Sequence, residues 1–472
     1  MTARLANQTF ANRRSFLVAS GVGFAGLAFG RPGMAAPETV VSPSKPAKST
    51  ILFFLCGGAS HLDMWDLKSN APDDYRGPFQ PIATSAAGVQ ISEHLPMLAK
   101  QAHHLAIVRS VRGTVNTNDH HAGYYYNLTG HAPDPTFVSL GNNRTPFPDD
   151  WPFMGSVVAA KRPAHPELPN AITLPHKPSR LPYTRPGQFA ARLGVEHDPL
   201  YVDGSVDEPL KFVAPALSLD GDTTAQRLLD KKDLLRTINT ARGEFEQFGI
   251  TQTWRQQQER AVSLLLTAGT TKAFNVGDEP AKLRERYGET VNGMSLLLAR
   301  RLAEAGVPFI TVFWKENQQL AKKCRSAGGW DTHGNNFNCL KEGLLPEFDR
   351  AFSALIEDLH DRGMLDETLL LVNSEMGRKP KIGDPRSGGV SGAGRDHWTH
   401  SLSVVMAGGG IRGGQTYGST DRLGEYPADL PVTPADIAKT VYRSMGVNNL
   451  EAYDRENRPY NLLAEGEALP LF

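Results

Sequence analysis

The chain of 472 residues is 40% hydrophobic and 21% charged, a balance that can bury one large core or two ordinary ones and carries no sign of wholesale disorder. Fifty basic and fifty acidic residues cancel, so no global field favours nucleic acid or an anionic membrane surface. The three cysteines, Cys56, Cys324 and Cys339, lack CxxC spacing and are too few for a disulfide framework.

Residues 12–36 have the arrangement of an export signal: Arg13-Arg14, a weakly apolar Gly/Ala-rich stretch from Leu17 to Phe29, then small residues at Gly33 and Ala35 suited to cleavage. The RRSFL core is that of a twin-arginine signal, and the stretch is too short and too weakly apolar for a stable membrane span. The expected division is a leader over 1–36, a polar lead-in over 37–48, and a single α/β domain over 49–472 with a helical insertion at about 216–306. The expected location is the periplasm or beyond, reached through the twin-arginine export machinery. That route carries folded proteins, which favours free thiols at Cys324 and Cys339.

In chain order, Ser49 to Cys56 (STILFFLC) predicts a buried strand stopping at Gly57-Gly58, and the following loop offers Ser60, His61, Asp63 and Asp66. Leu105 to Ser110 predicts a second strand, leading to Asp119, His120 and His121 ahead of three tyrosines. Adjacent histidines point to different sides, so one of the two at most faces a site. From Pro133 to about Pro215 prolines are dense and periodicity is weak, which predicts excursions over the surface. Helices follow over 225–245, 252–268 and 293–306, then a strand over 307–313.

The stretch 328–400 concentrates the chemistry. GGWDTHG brings Asp331 and His333; Leu344 to Leu359 repeat at helical spacing and Gly363 closes that helix. Thr368 to Asn373 is an apolar run too short for a helix, and Glu375 emerges at its end. GRDHWTH then supplies Asp396, His397 and His400 before another buried-type strand over 402–407, and Thr433 caps a last helix. Strands alternating with helices predict an α/β sandwich with a largely parallel sheet, whose chemistry sits at the C-terminal strand ends. Each residue also has a plain structural use: Asp331 in a turn, Glu375 paired with Arg378, His397 stacked on Trp398. Like-charged carboxylates brought together need a shared cation, however.

The stretches GGASHLDMWDLK, GGWDTHGNNF, LLPEFDRAFSALIEDLHDRGMLDETLLLVNSEMGR, GRDHW and GGGIRGGQTYGSTD, with the leader, resemble the domain of unknown function 1501 family of exported proteins over nearly the whole mature chain. More distantly, the order of elements resembles the alkaline phosphatase and sulfatase superfamily. That resemblance implies an alkaline-phosphatase/sulfatase-like sandwich, with Glu375 at a metal-binding strand end and Asp331 and His333 as metal-binding residues. It lays DHHAGYYYNLTGH over the sulfatase nucleophile segment. The chain departs from the pattern: Gly57-Gly58 replaces paired metal-binding aspartates, so that Asp63 would substitute; His120 stands at the nucleophile position, Tyr124 replaces a supporting arginine, and Met376 replaces a ligand.

These departures argue against a covalent phospho- or sulfo-enzyme. They leave a metal-activated water with His120 or His121 exchanging the proton. The expected ligands of a divalent ion, whether zinc, calcium or magnesium, are Asp63, Asp331, His333, Glu375, Asp396 and His397, with Ser60, Arg378 and His400 contacting substrate. Two readings result: an exported metal-dependent hydrolase of a phosphate or sulfate ester, small or glycan-borne, and a non-catalytic exported protein on the same fold that binds an anionic glycan, a metal or a partner.

Overall fold

The run STILFF forms the strand about which the molecule is built. A strand apolar on both faces is covered on both, and every residue of β1 (Ser49–Phe54) is buried. The computed structural model describes residues 43, 45–180, 183–214, 272–319, 322, 329–383, 394–454 and 457–472. The leader, the helices predicted over 225–245 and 252–268, and Cys324 lie outside these residues.

Seven more strands complete the sheet: β2 (Leu105–Val111), β3 (Ala171–Leu174), β4 (Leu200–Tyr201), β5 (Phe309–Phe313), β6 (Thr368–Asn373), β7 (Leu402–Ala407) and β8 (Gln415–Tyr417). Their order is β8-β2-β7-β6-β1-β5-β3-β4. β1 lies parallel between β5 and β6, with Phe54 opposite Phe313 on one side and Asn373 on the other. Of the eight, β7 alone runs against its neighbours, pairing antiparallel with both β6 and β2. The C-terminal ends of β1, β2, β3, β5 and β6 therefore share one edge with the beginning of β7, and that edge gathers the polar side chains.

The principal helices are α1 (His120–Thr129), α2 (Met154–Lys161), α3 (Val291–Glu304), α4 (Leu345–Asp361) and α5 (Pro434–Ser444). In α4 the predicted periodicity becomes a buried face of Phe348, Phe352, Leu355, Ile356 and Leu359. Phe348 stacks on Phe53 of β1 at 5.8 Å, and each such side chain withdrawn from water contributes about 1.5–3 kcal/mol. Thr433 and Asp436 close a capping box at the start of α5, satisfying two orphan N–H groups. The buried apolar side chains of both sheet faces join into one continuous cluster, with a small satellite of Ala122, Tyr125 and Phe137.

Two expectations are corrected. The proline-dense stretch does not merely cross the surface: it contributes β3 and β4 to the central sheet and α2, whose Val157 and Val158 are buried. A four-residue strand between prolines is too short to register as a hydrophobic run. Cys339 is disulfide-bonded, against the free thiol that folding before export leads one to expect, while Cys56 is free and buried.

Candidate metal centre

Helix α1 begins where it does because Asp119 caps it, its carboxylate accepting the N–H groups of His121 (2.8 Å) and Ala122 (3.3 Å). That places His120 on the first turn, aimed at the end of β6. Its Nδ1 lies 2.8 Å from Glu375 Oε1, and its Nε2 lies 3.4 Å from Asp331 Oδ2. His333 repeats the pattern, with Nδ1 at 2.9 Å from Asp396 Oδ1 and Nε2 at 2.8 Å from Asp331 Oδ1. His397 repeats it again, with Nδ1 at 2.9 Å from the Asn118 carbonyl and Nε2 at 3.1 Å from Asp331 Oδ1. Three imidazoles thus present Nε2 to one carboxylate, while an acceptor behind each ring holds Nδ1. This is how proteins orient metal-binding histidines, because an Nδ1–H given to an acceptor leaves the Nε2 lone pair free.

Backbone and arginine contacts fix the carboxylates. Glu375 Oε1 accepts the Gly57 N–H at 2.8 Å and Oε2 accepts the Ser374 hydroxyl at 3.1 Å. Arg378, fully buried, donates to Asp331 at 2.7 Å, to the carbonyl of Gly58 at 2.8 Å and that of Trp330 at 2.9 Å, and also to that of Gly57.

In direct contact Asp331, Glu375 and Asp396 have a single guanidinium, that of Arg378, which leaves two negative charges uncompensated at this range, with Arg185 acting on Glu375 from farther off. Two imidazolium protons close that deficit, and so does one divalent ion. The side chains respond accordingly. Burial works against the charge of His333, yet its hydrogen bonds to Asp331 and Asp396 raise its pKa to about 9. His120 is likewise raised, burial being outweighed by Asp331 and Glu375. Burial opposes the charge of Asp331 too, but Arg378 and the three imidazoles hold it well below the carboxylate range. His397 is lowered, chiefly by burial.

The donors suit a metal ion. His120, Asp331 and His397 offer ligand atoms within 4.8 Å of one another, as do His333, Asp396 and His397, and Asp396 Oδ2 is buried without a hydrogen-bond partner. Imidazole-rich sets select zinc-like transition metals over calcium or magnesium.

The remaining sequence candidates fall elsewhere. Asp63 is buried in an ion pair with Arg395 (2.9 Å and 3.2 Å) and accepts the Ser60 hydroxyl at 2.6 Å, so both expected contacts are occupied away from the cluster. His121 turns to the Arg144 carbonyl at 2.8 Å, and burial lowers its pKa to about 4. His400 packs against Trp398, with ring centroids 4.6 Å apart, and Tyr426. Arg378 pairs with Asp331 and not with Glu375, and His397 packs against the rings of His120 and His333, not against Trp398 as its plain structural use would have it. Asn118 was missed. At φ +52° it occupies the left-handed region that asparagine tolerates, and its side chain accepts Thr399 N–H at 2.9 Å.

A cleft of about 310 Å³ opens on His120 and Asp331. Its other walls carry His176, Lys177 and Arg185, which follow β3, and Lys315 and Glu316, which follow β5. These residues come from separate segments with no common spacing, so no sequence pattern points to them.

Fold and site together define an α/β protein with a histidine–carboxylate centre at the C-terminal edge of a mostly parallel sheet. The chain belongs to the protein family of unknown function DUF1501, whose profile matches residues 47–470. No curated protein matches the sequence. Among solved structures it is similar to the phosphonate monoester hydrolase of Silicibacter pomeroyi, at 13% identity and TM-score 0.40 over 89% of this chain and 76% of that one. It is also similar to a sulfatase of a Pseudoalteromonas species, at 12% identity and TM-score 0.36 over 92% of this chain and 72% of that one. A third is the lipoteichoic acid synthase LtaP of Listeria monocytogenes, at 9% identity and TM-score 0.36 over 86% and 73%. Likenesses of this size carry no argument, and the functional reading rests on the site. No helix of the described residues is long and apolar enough to cross a membrane.

Proposed function

We propose that the protein is an exported, metal-dependent hydrolase of a phosphate or sulfate ester. The observation that carries this reading is the convergence of three Nε2 atoms on Asp331, which with His120 lines an open cleft. His120, Asp331 and His397 would hold the ion, with His333 beside them on Asp331; Glu375, Asp396 and the Asn118 carbonyl would orient the rings. This moves His120 from proton carrier to ligand, and Glu375 and Asp396 from ligands to supports. A bound divalent ion supplies Lewis-acid charge toward an ester's non-bridging oxygens and lowers the pKa of water. The chain's own part is to keep the imidazoles and Asp331 in place through Arg378, and to admit the ester at the cleft.

The test is elemental analysis of protein purified from its native compartment, with turnover of aryl phosphate and aryl sulfate esters. A stoichiometric transition metal is expected, and Asp331→Asn should lower both metal content and turnover, the latter by about a hundredfold, the scale of losing a key charged contact. Wild-type turnover in Asp331→Asn would sink the reading. The ability of the cluster to close its charge with protons favours one alternative, a non-catalytic protein that binds an anionic glycan. Metal-free protein that binds glycan without turnover would establish it.

A further inference from the structure

We infer that the cleft contains a built oxyanion subsite, formed by Arg185, Lys177 and Lys315 where they line it together with Asp331, and that it receives the anionic group of the ligand. The inference rests on the hydrolase reading only for identifying that group as the ester's own phosphate or sulfate.

The first ground is the state of these cations compared with the fully buried arginines. Arg144, Arg300, Arg378 and Arg395 each have a carboxylate partner: Asp150, Asp358, Asp331 and Asp63. Among the described residues, none of Lys177, Arg185 and Lys315 has one. Each is held instead by contacts other than an ion pair, with Glu316 and Glu375 acting on Arg185, and Asp198 on Lys177, only from beyond ion-pair distance. The Arg185 guanidinium lies 4.7 Å over the Tyr124 ring and its Nη1 is buried with no hydrogen-bond partner. The Lys177 ammonium lies 4.1 Å over the Tyr201 ring. The Lys315 ammonium donates to the Gly204 carbonyl at 2.8 Å. A guanidinium with an unused N–H and two ammonium groups on one wall match the several acceptor oxygens of a tetrahedral oxyanion.

The second ground is that the wall is rigid. Gly187 (φ +84°) sits so close to α1 that an added Cβ would lie 2.7 Å from Tyr125 Cα, which fixes the segment bearing Arg185 against the helix bearing His120. Lys177 follows β3 and Lys315 follows β5, two parallel neighbours in the sheet. The segments bearing the cations are therefore placed before any ligand arrives, which limits the ordering cost on binding.

Calorimetry of inorganic sulfate and phosphate binding to the full mature chain tests this without turnover, using wild type, Arg185→Gln, the exposed Lys177→Gln, and Lys211→Gln as a control outside the cleft. Arg185→Gln and Lys177→Gln should each weaken binding, the former at least tenfold, with metal content unchanged, while Lys211→Gln binds as wild type. Equal affinity in all four proteins, or no anion binding by wild type, overturns the inference. An ester-cleaving wild type with unaltered KM in Arg185→Gln removes the subsite and leaves the hydrolase. Lost anion binding in the variants of a protein inert to esters does the reverse.

Discussion

Histidine takes two different states in this chain, and its neighbours decide which. Where a carboxylate stands behind the ring, as at His120 and His333, the imidazole is held toward its charged form; where only carbonyls and aromatic rings surround it, burial dominates. His131 is the clearest of the second kind. Its ring stacks on Trp151 at 4.0 Å, Nε2–H donates to the Leu462 carbonyl at 2.7 Å, and burial followed by the nearby Arg192 lowers its pKa to about 4. A depressed histidine pKa means that the unfolded chain binds the proton more tightly. The stability His131 contributes is therefore present above the unfolded value near 6.5 and is lost as pH falls toward 4. After a discount for partial exposure, acidification from about pH 7 to about pH 5 should cost wild type about 1 kcal/mol more than His131→Gln. Urea unfolding at both pH values measures it; parallel losses in the two proteins would refute the assignment.

At the scale of elements, the site depends on how closely α1 approaches the end of β6. An added Cβ at Gly123 would clash with the Glu375 carbonyl oxygen, and Asn127 of the same helix donates to that oxygen at 3.1 Å. Gly123→Ala should therefore destabilise by about 1–3 kcal/mol despite alanine's better helix propensity, and should weaken metal binding by shifting the support of His120. Gly363→Ala, at φ +66° with open space around it, should cost only the left-handed strain of about 1 kcal/mol and leave metal affinity alone. Equal effects of both variants on metal affinity, read by competition with a chromogenic chelator, would contradict the coupling. The same elements show what the sequence could reveal. β6, α4 and β7 were legible because an unbroken run of four apolar residues, Leu369 to Val372 and Val404 to Ala407, or a seven-position helical stripe, exceeds what a loop carries. β3 was not, since Ala171–Leu174 is too short between prolines. Asp331, His333, Glu375, Asp396 and His397 were legible as strand-end and turn residues, but their ranking was not. Which groups touch a metal and which stand behind a ring depends on Nδ1 against Nε2, and nothing in spacing encodes that. Nor does spacing reveal that Arg395 neutralises Asp63 from 332 positions away.

On the scale of the whole molecule, the centre exists only once the sheet is complete. Gly57 follows β1, His120 comes after β2, Asp331 after β5, Glu375 after β6, and His397 precedes β7, so the donors share no local segment that could bind an ion before folding. A chain that acquires metal must fold first. A twin-arginine leader over residues 1–36 is consistent with that order, since the route it addresses carries folded protein. Replacing Arg13-Arg14 by Lys-Lys should leave the protein in the cytoplasm with its leader attached, yet folded and carrying metal, because the leader contributes none of the centre's donors. Fractionation followed by mass spectrometry and elemental analysis of the retained protein gives the answer. Unchanged periplasmic delivery would show the leader to be misread. A retained protein that is folded but free of metal, beside a metal-loaded exported one, would place loading after export and remove the reason for linking the centre to this route.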